Sequence, residues 1–87
     1  MKVLVIGVGG MIGSTMLRVL SENKEWQIYG TLRNGDAKKY FPAHIASRVV
    51  EGVDVRSIDA VAEIIGSIRP NEVINCAGIT KHRLRAE

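Results

Sequence analysis

Apolar and polar positions fall into distinct periods along this chain. Val3-Leu-Val-Ile6 is an unbroken apolar run rich in β-branched residues, the pattern of a strand covered on both faces. From Met11 to Ser21 the period lengthens. Ile12, Met16, Val19 and Leu20 recur at i, i+4, i+7 and i+8 and predict a helix that buries those four, with Ser14, Thr15, Arg18 and Glu22 mostly on other faces. After the polar connector Asn23-Lys-Glu25, the alternating stretch Trp26–Leu32 predicts a second strand. Asn34-Gly-Asp36 signals a turn, and residues 36–46 predict a short helix interrupted by Pro42. Val49-Val50 and Val53–Val55 predict a third strand region broken at Gly52. Ser57 suits a helix N-cap, and Asp59 lies in the first turn, where a carboxylate complements the helix dipole. Val61, Ile64, Ile65 and Ile68 make the stripe of that helix, and Pro70 closes it. Glu72-Val-Ile-Asn75 predicts a fourth strand, and Cys76-Ala-Gly78 turns out of it.

Strands alternating with helices imply an α/β fold with a parallel sheet and right-handed crossovers. The expected architecture is a partial Rossmann (doubly wound) fold: about four strands in the order 3-2-1-4 with flanking helices. Eighty-seven residues, 46% of them hydrophobic, make one domain at most. A complete doubly wound domain needs roughly 150 residues, so residues 1–87 are expected to be the N-terminal part of a dinucleotide-binding domain from a longer chain. A fourth strand without a fifth beside it presents unpaired N–H and C=O groups. That edge is expected to meet another copy, by homodimer formation, swapping or crystal packing.

Composition narrows the partners. The net charge of +3 is mild, and much of it sits in the tail Lys81–Glu87. Only 5% of residues are aromatic and no basic stripe interleaves with them, so nucleic acid is not an expected partner. Cys76 is the single cysteine, which excludes an intrachain disulfide and a cysteine-based zinc cluster and fits a reduced, cytoplasmic setting. His44 and His82 lack metal-ligand spacing, so no metal site is expected. The apolar N-terminal run is too short and glycine-rich for a signal peptide, and no run approaches a membrane span.

The candidate chemistry lies at Gly7, Gly10 and Gly13, spaced three apart between the first strand and the first helix. They follow Gly-x-x-Gly-x-x-Gly rather than Gly-x-Gly-x-x-Gly, since position 12 is isoleucine. A helix N-terminus offers free backbone N–H groups and the positive end of the dipole to a pyrophosphate. Glycine removes side chains that would hold phosphates away. Gly7 would end the strand, Gly10 would admit the phosphates, and Gly13 would let the helix pack close. The amides near Met11 and Ile12 are the expected donors. Glycines also serve plain tight turns; the flanking strand and helix are what favour the phosphate reading.

Other candidates lie at the same sheet edge. An NAD-selective site places an acid about twenty residues after the loop, on the ribose 2′-OH. Gly30-Thr-Leu-Arg33 offers Arg33 instead, whose guanidinium suits a 2′-phosphate and favours NADP over NAD. The plainer alternative is a solvated loop cation. Asp54 would accept from the adenine amino group while Val55 covers the ring; alternatively Asp54 caps backbone N–H groups before the next helix. Cys76, Ala77 and Gly78 are small enough to let the backbone approach a ribose or nicotinamide, and Thr80 would touch the ribose. Cys76 reads as a small packed residue rather than a nucleophile.

Together these residues resemble the extended short-chain dehydrogenase/reductase superfamily. Gly7-Val-Gly-Gly-Met-Ile-Gly13 is similar to its nucleotide loop, and Arg69-Pro-Asn-Glu-Val-Ile-Asn-Cys-Ala-Gly78 to its fourth-strand signature. Arg33 and Asp54-Val55 match its NADP-phosphate and adenine positions. The resemblance runs to about Thr80 and is nearest to nucleotide-sugar reductases of the dehydrorhamnose reductase type, although Lys81-His-Arg-Leu-Arg85 departs from the acidic stretch expected there. It implies the NADP(H)-binding portion of a nucleotide-sugar oxidoreductase or epimerase, in which hydride would move between nicotinamide and a sugar carbonyl. The family's catalytic Tyr-x-x-x-Lys is absent: Arg33 follows Tyr29 by four, and His44 follows Tyr40 by four. No catalytic residue is therefore assigned, and the chain alone is expected to be inactive. The alternative is a non-catalytic regulatory or sensor module of the same fold.

Overall fold

The computed structural model of the chain describes residues 1–77. Strand β1 (Lys2–Ile6) leads into helix α1 (Met11–Ser21), then β2 (Gln27–Thr31). A 3-10 turn (Asp36–Tyr40) and the short helix α2 (Ala43–Ala46) precede β3 (Val49–Val50). Helix α3 (Ile58–Ile68) and strand β4 (Glu72–Asn75) follow. The four strands form one sheet in the order β3-β2-β1-β4, and all three pairings are parallel. This is the α/β, partial Rossmann arrangement that the alternation predicts.

Register decides where function can sit. Ile6 stands opposite Thr31 on one side and Asn75 on the other, so three strands end level. The turns at Gly7, Leu32 and Cys76 therefore leave from one carboxyl rim. Asn71 sets the β4 register: its Oδ1 accepts from the Lys2 amide at 2.8 Å, and its own amide donates to the Lys2 carbonyl at 2.8 Å. Among the described residues β4 pairs only with β1, which makes it the edge.

The side chains of β1 divide between two layers, as the period of two in a strand requires. Val3 and Val5 join Val8, Leu17, Ile28, Phe41, Ile45 and Val49 in the buried cluster beneath α1 and α2. Leu4 and Ile6 face the other way, toward Val53, Val61 and Ile64 under α3. Arg18 ties the 3-10 turn to α1, donating to the Tyr40 carbonyl at 2.9 Å and lying 5.0 Å from the centre of the Phe41 ring.

Two expectations need correction. The buried side of α1 is Gly13 and Leu17, with Met16 and Leu20 partly buried beside them; Ile12 and Val19 are 70% and 55% exposed. The helix is rotated because Gly13, which has no side chain, is the point of closest approach to the sheet. The third strand is also shorter than expected. Gly52 takes φ +82°, which turns the chain so that the Val53 amide donates to the Leu32 carbonyl at 2.9 Å, and Val53–Val55 leaves the ladder.

Helix α3 keeps its expected bounds. The Ser57 side chain accepts from the Ala60 amide, and Asp59 lies in the first turn. The helix stops at Ile68, with Arg69 left-handed (φ 56°) and Pro70 just outside it. Its stripe of Val61, Ile64, Ile65 and Ile68 is half-buried throughout.

Candidate functional site

The turn after β1 is held from the strand beside it. Thr31, buried at the end of β2, accepts the Gly7 amide on Oγ1 at 3.2 Å and the Val8 amide on its carbonyl at 3.0 Å. On the other side the Cys76 amide donates to the Ile6 carbonyl at 2.8 Å. Gly7 adopts φ +83°, and a β-carbon there would stand 2.8 Å from Ala77 Cα and 2.9 Å from Ala77 N. Gly13 is constrained as firmly, since a β-carbon at that position would overlap the Gly7 carbonyl oxygen. Both contacts are with backbone, which has little freedom to yield.

Gly10 differs. It is the N-cap of α1, with extended backbone (φ −88°, ψ 175°), and a β-carbon placed on it would meet no atom within 4 Å. Among the described residues, the space in front of the helix is open at that point. The contrast with α3 is informative. There the N-terminus is closed by the Ser57 side chain and complemented by Asp59. Here, among the described residues, no side chain caps the helix, and its first turn carries no acid. The Met11 and Ile12 side chains are exposed. A helix end whose first-turn N–H groups meet no capping oxygen among the described residues fits a pyrophosphate. Gly7, Gly10, Met11, Ile12 and Gly13 thus converge at the rim.

Beside this loop lies a recess of about 210 Å³, lined by Gly7, Thr31, Arg33, Val53, Asp54, Val55, Arg56 and Ala77. It brings together Arg33, Asp54, Val55 and Ala77, which are spread over 45 positions of sequence (33 to 77). Arg33 is exposed in the turn after β2 and, among the described residues, makes no hydrogen bond or ion pair. Asp54 is half-exposed and engaged. Its Oδ1 accepts from the Arg56 backbone amide at 2.9 Å and from Arg56 Nε at 3.1 Å, and its Oδ2 accepts from Arg56 Nη2 at 3.0 Å. The Arg56 guanidinium, then the Arg56 amide, then the charge of nearby Arg33 hold the Asp54 carboxyl down at about 2. Asp54 reciprocally raises the Arg56 guanidinium. The carboxylate is thus ionised, and each oxygen already serves a donor at Arg56.

Cys76 is half-buried and packs against the core cluster beneath α1. The Ala77 amide donates to Asn75 Oδ1 at 2.9 Å, which turns the chain back over Gly7. Gly78, Thr80 and the tail lie outside the described residues. Among the described residues no cluster of His, Cys, Asp and Glu could hold a metal ion, and no helix is long and apolar enough to cross a membrane.

Two residues of this site escape a reading of the sequence. Thr31 is the buried acceptor that braces the loop; a hydroxyl at the last position of the strand, between Gly30 and Leu32, was the available signal. Arg56 is the partner of Asp54; its place two residues on, ahead of an N-cap serine, was the signal there.

The family model described as the NAD dependent epimerase/dehydratase family matches residues 3–87. No curated protein and no solved structure matches the chain.

Proposed function

The chain belongs to the NAD dependent epimerase/dehydratase family, which binds a nicotinamide dinucleotide, and from that premise we propose that it holds NADP(H) in preference to NAD(H), as the cofactor-binding portion of an oxidoreductase acting on a nucleotide-linked sugar. The observation that carries this reading is the open, uncapped N-terminus of α1 on the same rim as Arg33.

In this proposal the first-turn amides of α1, at Met11, Ile12 and Gly13, donate to the pyrophosphate. Gly10 supplies the clearance. Arg33 pairs with the 2′-phosphate through charge-assisted hydrogen bonds. Asp54 accepts from the adenine amino group on its remaining lone pairs, and Val55 covers the ring. Ala77 lets the backbone approach the far ribose closely. Cys76 contributes only backbone, since its side chain belongs to the core. The nicotinamide, when bound, supplies hydride chemistry. The sugar assignment rests on the family and on the resemblance of residues 69–78, because no residue of this chain is assigned to the sugar. Without Tyr-x-x-x-Lys, the chain is proposed to hold the cofactor and not to turn substrate over by itself.

Calorimetric titration of the chain with NADP and with NAD tests this. NADP binding more tightly than NAD, with the preference lost in Arg33→Ala, is the expected result. Equal affinity for the two in the starting protein removes the Arg33 assignment, and no binding of either removes the cofactor reading.

A further inference from the structure

The recess beside the glycine loop holds two guanidiniums and, among its lining residues, one carboxylate. These three charges are not arranged evenly. Asp54 gives both oxygens to Arg56, through the two side-chain bonds at 3.1 and 3.0 Å and the backbone bond at 2.9 Å. Arg33 lies near enough for its charge to bear on the same carboxylate, yet makes no bond to it. Glu51, three positions before Asp54, is turned to Lys38 at 3.6 Å.

We propose that Arg56 is the positioning residue that leaves Arg33 available for the 2′-phosphate: it holds Asp54 in a bidentate pair, so that this anion neither captures Arg33 nor repels a phosphate. The inference rests on the reading that Arg33 meets that phosphate. The physical reasoning is short. A lone carboxylate beside a lone guanidinium forms an ion pair, and an incoming phosphate must then compete with it. With Arg56 in place the three side chains sum to one positive charge, and the guanidinium that remains unbonded is Arg33. Without Arg56 the sum is zero, and Asp54 has one cation left to turn to. Arg56 thereby tunes the choice of cofactor without touching it. The adenine contact of Asp54 is common to both dinucleotides, so it cancels in their ratio.

The test is the ratio of NAD to NADP dissociation constants, measured by calorimetry on the chain. Arg56→Ala is expected to lower the NADP preference about tenfold, the scale of one charge-assisted contact. Asp54→Asn/Arg56→Ala is expected to restore it, because no anion is left to restrain. Arg56→Lys is expected to keep most of it. Should Arg56→Ala fold poorly by circular dichroism, Arg56→Gln and the double variant carry the comparison. An unchanged ratio in folded Arg56→Ala overturns the proposal. So does a double variant that stays as unselective as the single one, since Arg56 would then be meeting the phosphate itself. Absence of NADP preference in the starting protein, or its survival in Arg33→Ala, marks failure of the Arg33 reading and takes this inference with it. Loss of preference in Arg33→Ala alone isolates the failure to Arg56.

Discussion

Gly13 lies so close to Gly7 that a β-carbon on the first would overlap the carbonyl oxygen of the second. That contact docks the opening turn of α1 on the end of β1 and aims the helix axis across the rim. At Gly10, one turn earlier, a side chain would meet no atom of the described residues within 4 Å. The two glycines therefore separate stability from binding. Gly13→Ala is expected to destabilise the fold by about 1–3 kcal/mol, the usual cost of forcing atoms into a packed site. Gly10→Ala is expected to stay within about 0.5 kcal/mol of the starting stability and, on the proposed cofactor reading, to weaken dinucleotide binding at least about tenfold, since its methyl group would stand where that reading brings a phosphate. Urea denaturation reads the first effect and calorimetric titration the second.

Thr31 braces the same turn from below. Replacing it with valine keeps the shape but leaves the Gly7 amide without its acceptor. The expected cost is about 1–3 kcal/mol for a polar group stranded beneath the surface, with faster hydrogen exchange at the Gly7 amide. Thr31→Ser, which retains the hydroxyl, should protect that amide better than valine does. Identical exchange in the two variants would remove the bracing role.

Acid should release the Asp54–Arg56 pair. The folded-state pKa of Asp54, about 2, lies below its ordinary value of 3.8. A depressed carboxylate adds stability that is complete above the ordinary value and is lost as pH falls from there through the folded value. The pair's contribution should therefore fade between about pH 4 and pH 2. Carboxyl-carbon NMR should place the Asp54 midpoint near 2 in the starting protein and closer to 3.8 in Arg56→Ala. Unfolding measured across that window should show a shallower loss in Asp54→Asn.

The face on which α1 packs is testable by size. Leu17 is fully buried, whereas Val19 is mostly exposed. Leu17→Ala should cost about 2–5 kcal/mol, enough to unfold much of a marginal domain, while Val19→Ala should change stability by less than about 0.5 kcal/mol. A denaturation midpoint that moved equally in both would contradict the orientation of the helix.

The elements themselves were legible because their signals are local. A β-branched run, glycines spaced three apart, an N-cap serine and a proline after a helix act within a few residues of themselves. Helix α3 keeps its expected bounds for that reason, and the alternation of elements is enough to imply the parallel order 3-2-1-4. Periodicity was a poorer guide to the buried face of α1. Ile12 and Val19 fit a helical stripe as well as Gly13 and Leu17 do. Counting apolar side chains passes over the glycine on which the helix docks.

By itself, then, the sequence determined the order of strands and helices and the sheet edge at which the glycine turn and Arg33 sit. Tertiary structure alone decided that Leu17 faces inward, that Thr31 lies under the Gly7 amide, and that Asp54 turns to Arg56 while Arg33 stands apart. The difference is physical. Backbone preference is set by near neighbours, whereas burial and charge pairing depend on which distant segments the level ends of β1, β2 and β4 bring to the same edge.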